Sequence, residues 1–330
     1  MGRAGISRRV LVAMLVLLSA VSVVFAQDAT LPKNIDIYVP AKAGGGTDVM
    51  ARSLANQISK MSGNNFVILN NVDGNGVVSL ETVRNAKPDG KTLVQFHTSM
   101  LILTAMGKYK YDALNDFTVI AVGRNPVVSG YVLLVPPNAP YNTLKEFVEY
   151  AKKNPGKILA GVQTGASTHL MMGMLEKAAG IKLRSVEAGT DTEKLTALVG
   201  NNINAACVNA NQAKQYIDAG KLKALGIVSS DEKGARAEIL PNVPSYFEQG
   251  YDVSYDIISF ILGPKGMDRK LVEKLNAYYQ KVATEKSVDE MLAKAGFQLR
   301  FYGVDEGVKV LKAHSDQMTN AVNAIGLGKK

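Results

Sequence analysis

The chain has 330 residues, 47% hydrophobic and 20% charged, a globular composition that excludes a disordered polymer and suits two domains of ordinary size. Its formal charge of +9 is scattered, with no basic block, no aromatic-interleaved stripe and no nucleic-acid motif, so nucleic acid is not an expected partner. Cys207 is the one cysteine, which excludes an internal disulfide and a Cys-based zinc site, and His97, His169 and His314 are too few for a His-rich metal centre. No metal and no cofactor are expected.

Residues 1–26 stand apart. Arg3, Arg8 and Arg9 form a basic head, and no charge falls between Val10 and Ala26. Val24 and Ala26 place small residues where a signal peptidase cuts, so a cleaved secretory signal is expected, with the mature chain starting at Gln27. The competing reading is an uncleaved anchor, since the apolar run is just long enough to span a bilayer. Removing the signal takes away three arginines and no acids, leaving +6. That balance favours anionic small ligands weakly.

Short β-rich runs then alternate with helical patterns. Ile35–Val39 reads as a strand. A helix follows from Thr47 to about Met61, with Met50, Leu54, Ile58 and Met61 spaced by four and three, and Gly63 as its stop. Phe66–Leu69 is the second strand, a loop carries Gly74 and Gly76, a helix carries Val78, Leu80 and Val83, and Thr92–Phe96 is the third strand. A β-α-β-α-β order implies a largely parallel sheet covered by helices. A second unit starts near Arg124. It holds a strand at Val132–Val135, a helix capped by Thr143 and stopped at Asn154–Gly156, and three strand–loop–helix repeats from "KILAGV", "LRSVEAG" and "INAACVNAN". Lys223–Val228 is a further strand. After Pro241 and Pro244 come an apolar strand, "YDIISFILGP", and two helices around Asp268–Thr284 and Val304–Asn323. The chain is expected to cross between two α/β lobes near Arg124–Val128 and again near Gly250–Asp256. Residues 27–125 and 253–330 would form one lobe and residues 126–252 the other, around a hinged cleft.

The stretch "AKAGGGTDVMAR", Ala41–Arg52, sits between a strand end and a helix start, the ligand edge of a parallel α/β sheet. Helix N-termini expose unpaired N–H donors and carry partial positive charge. Gly44, Gly45 and Gly46 would let backbone approach an anion, with Thr47 as N-cap and Asp48 in the first turn. The alternative is a plain tight turn. Walker A and dinucleotide spacings are both absent. "GVQTGASTHL", Gly161–Leu170, is the same device in the second lobe, offering the Thr164, Ser167 and Thr168 hydroxyls and the backbone of Gly165 and Ala166. Two such loops suit a ligand with two anionic groups. "AGTDTEK", with Thr190, is a third candidate, and His97, Thr98, Ser99, Asn209 and Asn211 sit at strand ends. His169 is expected to be a structural hydrogen-bond partner, Cys207 a buried small hydrophobe, and the "LMMGM" methionines core. No G-x-S-x-G elbow, H-E-x-x-H or Cys–His–Asp set occurs at a placed position, so no catalytic residue is named and a binding protein outranks an enzyme.

These motifs, in this order, resemble the periplasmic solute-binding proteins of tripartite tricarboxylate transporters, the TctC or Bug family. "VPAKAGGGTDVMAR", "ILNNVDGNGVVSLETVRNAKPDGKTL", "VQTGASTHLMMGMLEKAAGI", "AGKLKALGIVS" and "LPNVPSYFEQGYDV" are similar to successive family segments, collinear from about Leu31 to Val322. The resemblance implies a two-lobed periplasmic binding-protein fold, a small carboxylate ligand often held through bridging waters, permease subunits as partners, a monomer and a periplasmic location. It carries the ligand role to Gly44–Asp48, to Thr98 and Ser99, and to Gly165–His169. Three departures stand out. Lys42 enters a loop that is commonly small, to meet an anion or to face solvent. Val208 precedes Asn209 where many members carry an acid, which disfavours a cationic ligand. "AGTDTE" replaces a Lys-Gly-Ser-Gly type of loop. A receptor-presenting sensor and an enzyme on carboxylates are the competing functions.

Overall fold

The computed structural model describes residues 30–124, 130–230, 234–294 and 298–329. The expected signal segment, residues 1–26, and the first crossover beyond Arg124 lie outside them. Among the described residues no helix is long and apolar enough to cross a membrane.

The first lobe opens with β1 (Asn34–Val39), α1 (Gly46–Ser62), β2 (Asn65–Asn70), α2 (Val77–Arg84) and β3 (Thr92–His97). Alternation along β1 buries Ile35, Ile37 and Val39, while the α1 stripe buries Met50, Leu54 and Ile58 against the sheet. Gly63 ends α1 in the left-handed region at φ 72°. β1 pairs in parallel with both β2 and β3. Sequence patterning misses the next two elements. α3 (Ser99–Ala105) is apolar nearly throughout and shows no helical period, and β4 (Phe117–Arg124) is buried along most of its length and lacks alternation.

The second lobe runs through β5 (Tyr131–Val135), α4 (Leu144–Lys153), β6 (Leu159–Val162), α5 (Ser167–Ala179), β7 (Arg184–Glu187), α6 (Asp191–Val199), β8 (Ala205–Asn209), α7 (Ala210–Asp218) and β9 (Lys223–Val228). The chain then returns to the first sheet as β10 (Ile258–Pro264), followed by α8 (Arg269–Ala283), α9 (Lys286–Lys294), β11 (Arg300–Phe301) and α10 (Val304–Ala324). Three helices, not two, follow β10; α9 is the addition.

Both sheets are mixed with a parallel majority, as expected: β10 and β11 run against the other four strands of the first, and β5 alone runs against the other four of the second. The first has the order β11-β4-β10-β3-β1-β2 and the second β7-β6-β8-β5-β9. β10 lies antiparallel between β3 and β4, with Phe260 opposite Phe96 and Val122. β5 lies antiparallel between β8 and β9. The reason is topological. Each lobe keeps a parallel α/β half, and a strand next to a crossover enters the same sheet from the opposite direction. The buried methionines Met171 and Met172 and the buried Cys207 belong to the continuous core, as expected.

Candidate functional site

The loops after β1 and β6 are built alike. In each, a glycine takes the left-handed region: Gly44 at φ +78° and Gly165 at φ +80°. The next residue, Gly45 or Ala166, is an extended N-cap without a side-chain oxygen. The third, Gly46 or Ser167, begins the helix. In each, the side chain four residues beyond the left-handed glycine accepts its N–H: Asp48 Oδ2 from Gly44 at 2.9 Å, His169 Nδ1 from Gly165 at 3.2 Å. Thr47 is therefore the second helical residue, and Gly45 holds the N-cap position expected for Thr47.

This arrangement leaves the first N–H groups of α1 and α5 without a side-chain cap. The contrast with α4, α6, α7 and α8 is clear, since Thr143, Thr190, Asn209 and Asp268 cap those helices. Both uncapped ends face one cavity of about 960 Å³ lined from both lobes.

Of the residues named from sequence, Gly44, Gly45, Gly46, Thr47, Ser99, Gly165, Ala166, Ser167, Thr168, Thr190 and Asn209 line that cavity. Asp48, Thr98 and His169 stand behind its wall. Asp48 is 2% exposed and also holds Arg52 and Asn70. Burial alone would raise its carboxyl, but the bonds from Arg52, the Gly44 N–H and Asn70 outweigh it and hold the group below the usual carboxylate range. Thr98 accepts the Ile258 N–H at 3.0 Å and lies 3.1 Å from His314 Nε2. Thr190 lines the cavity with its hydroxyl already committed, accepting from Glu193 N–H and donating to Glu193 Oε2 in a capping box.

The floor is a run of hydroxyls shared by the lobes. Tyr255 donates to Ser167 Oγ at 2.7 Å, and Ser167 Oγ is 3.4 Å from Ser99 Oγ. His97 is also on the wall. Desolvation pushes its imidazole down to about 4, so it is neutral at neutral pH, and its Nδ1 accepts the Ser99 N–H. Sequence reasoning misses Tyr131, Asn75 and Tyr255 and takes Asp191 only as part of the third candidate loop; all four line the cavity. One signal was available. The Gly-Asn-Gly run puts Asn75 in the left-handed region at φ 58°, an uncommon state outside glycine. Its Nδ2 donates across the cavity to the Thr164 carbonyl at 3.3 Å.

Lys42 shares features of both expected positions, meeting a carboxylate of the protein itself while staying more than half exposed. Its Nζ meets Glu193 Oε1 at 2.8 Å, joining the first-lobe loop to α6 of the second lobe. Lys42, and behind it the Thr190 bonds, hold the Glu193 carboxyl down at about 2. Both side chains are about half exposed, 57% and 48%, so solvent and salt screen the pair. Lys42→Met is expected to weaken ligand binding by less than about five-fold, on the scale of about 0.2–1 kcal/mol for exposed pairs. A double-mutant cycle with Glu193→Gln at two salt concentrations checks this, and a coupling that ignores salt sinks it.

A cavity between two α/β lobes, faced by one glycine-braced, uncapped helix start from each, defines the two-lobed binding-protein class. The family model of the tripartite tricarboxylate transporter family receptor, TctC, matches residues 50–327, and the chain belongs to that family of solute-binding receptors. It is 30% identical over 271 residues to the UPF0065 protein in the gbd 5' region of Cupriavidus necator, covering 82% of this chain and 80% of that one. Periplasmic binding protein BugD superposes with a TM-score of 0.77 at 25% identity, covering 91% of this chain and 100% of its own. MatC of Rhodopseudomonas palustris with bound malate superposes at 0.76 and 22% identity, covering 88% and 98%, a likeness of fold.

Proposed function

We propose that this chain is an exported receptor that captures a small organic carboxylate between its lobes and delivers it to the membrane subunits of a tripartite transporter. The carrying observation is the pair of glycine-braced, uncapped helix N-termini of α1 and α5 facing one cavity. Their free N–H groups and the Ser99 and Ser167 hydroxyls are donors, which is what a carboxylate requires. The malate bound to MatC agrees with that chemistry. In this reading residues 1–26 are the signal, residues 27–125 and 253–330 form one lobe, residues 126–252 form the other, and closure of the lobes buries the ligand. The receptor works as a periplasmic monomer and releases its ligand unchanged.

A thermal-shift screen against mono-, di-, tri- and aromatic carboxylates tests it. At about 100 times Kd a ligand specific to the folded state adds roughly 2.7 kcal/mol, a shift of several degrees. A flat response across the panel ends the carboxylate assignment.

A further inference from the structure

The donors of α1 and α5 answer one part of a ligand. The wall built by α6 has the opposite chemistry. Asp191, the first residue of α6, lines the cavity with its side chain 16% exposed. Its Oδ1 is held by Lys194 Nζ at 2.6 Å, and its Oδ2 accepts the Asn209 N–H at 3.0 Å. Lys194 is 1% exposed and also donates to the Cys207 carbonyl at 3.3 Å, so its charge is committed behind the wall.

Three consequences follow from that geometry. Each oxygen of this cavity-lining carboxylate holds one anchor, Lys194 or the Asn209 N–H, and a carboxylate oxygen has about two acceptor sites, so acceptor capacity remains. Because both oxygens are anchored, the acceptor is fixed in place and needs no ordering when a donor arrives. Because Lys194 balances the charge, the pair is neutral as a unit, and a ligand ammonium finds no excess negative charge there. A second ligand carboxylate would meet an acceptor. The group that fits is a neutral O–H. Glu187, which also lines the cavity, is exposed, so water competes for its oxygens.

We propose that Asp191 reads a hydroxyl on the bound molecule, which makes the ligand class the hydroxycarboxylates. This rests on the carboxylate reading of the same cavity. A site built to hold an O–H discriminates strongly against the analogue that lacks it, because the buried acceptor is then left unpaired.

Calorimetric titration of the mature chain with two matched pairs, succinate with malate and butyrate with 3-hydroxybutyrate, tests the assignment. In the parent, at least one hydroxylated member binds about ten-fold or more tighter than its partner. In the variant carrying both Asp191→Asn and Lys194→Met, which removes the pair without leaving a lone buried charge, that ratio falls towards unity. Asp191→Glu keeps the ion pair, displaces the acceptor and lowers the ratio as well, which covers the case of a double variant that does not fold. Parity within both pairs in the parent, a ratio unchanged in the variants, or aspartate bound better than malate overturns the assignment of Asp191. If the unhydroxylated acids bind while hydroxyls add nothing, the carboxylate reading survives without it. If none of the four acids binds the parent, the assignment of Asp191 falls, and the wider carboxylate panel decides the carboxylate reading separately.

Discussion

Gly46→Val is expected to fold like the parent and to lose roughly a hundred-fold in carboxylate affinity. Gly46 is the first helical residue of α1, so its backbone conformation is open to any residue, and valine has the better helix propensity. The strained position in this loop is Gly44, which the substitution leaves alone together with its brace to Asp48. What changes is the cavity wall. Gly46 and Thr47 both line the cavity, and their N–H groups belong to the uncapped first turn. A branched side chain there separates those donors from an anion. Hydrogen bonds to a charged group are worth about 1.5–3 kcal/mol each, so losing two comes to about 3 kcal/mol or more, or a hundred-fold. Calorimetry with the strongest carboxylate from the thermal screen, run beside the unfolding midpoint, checks both halves. An affinity equal to the parent's removes α1 from the site.

Asp191→Ala is expected to destabilise the chain by about 2–3 kcal/mol, independently of any ligand. It strips the carboxylate partner from Lys194, a fully buried lysine that also donates to the Cys207 carbonyl. Breaking a buried pair on one side costs about 3–5 kcal/mol, and the partial exposure of Asp191 lowers that figure. Adding Lys194→Met should restore most of the loss, because a methionine fills the same space without a charge. Urea unfolding of the parent, the single and the double variant measures this. A single variant as stable as the parent would show that Lys194 reaches water or another acceptor at little cost.

The strand–loop–helix units were legible in the sequence because α1, α4, α8 and α10 each carry an apolar stripe at helical spacing, and Gly63 and Asn154 mark the ends of α1 and α4. α3 and β4 were not, because full burial erases periodicity. The twin loops were legible as glycine-rich helix starts. Their common plan lies in the spacing of Gly44 with Asp48 and Gly165 with His169, where unlike side chains do the same work, so residue type concealed it. Asp48 and His169 belong to the site as braces. Asp191 was hidden for another reason. Only the pairing of Lys194 with it and of Asn209 N–H with its carboxylate turns one residue of a capped helix into cavity wall. Lys42 depended on the far lobe, which no local pattern encodes.

The insertion of β10 also orders the assembly of the molecule in time. The second sheet is made from one stretch, β5 to β9, and its widest pairing, Tyr131 with Val228, spans 97 positions. The first sheet has β10 in its interior, and closing it brings Ile258 onto Thr98 from 160 positions away. Loop closure of that length is slow compared with local pairing. The second lobe is therefore expected to fold first, while β3 and β4 wait with unpaired edges for β10 to arrive. A chain of this design keeps its first sheet open until β10, well into the last third of the sequence, has emerged.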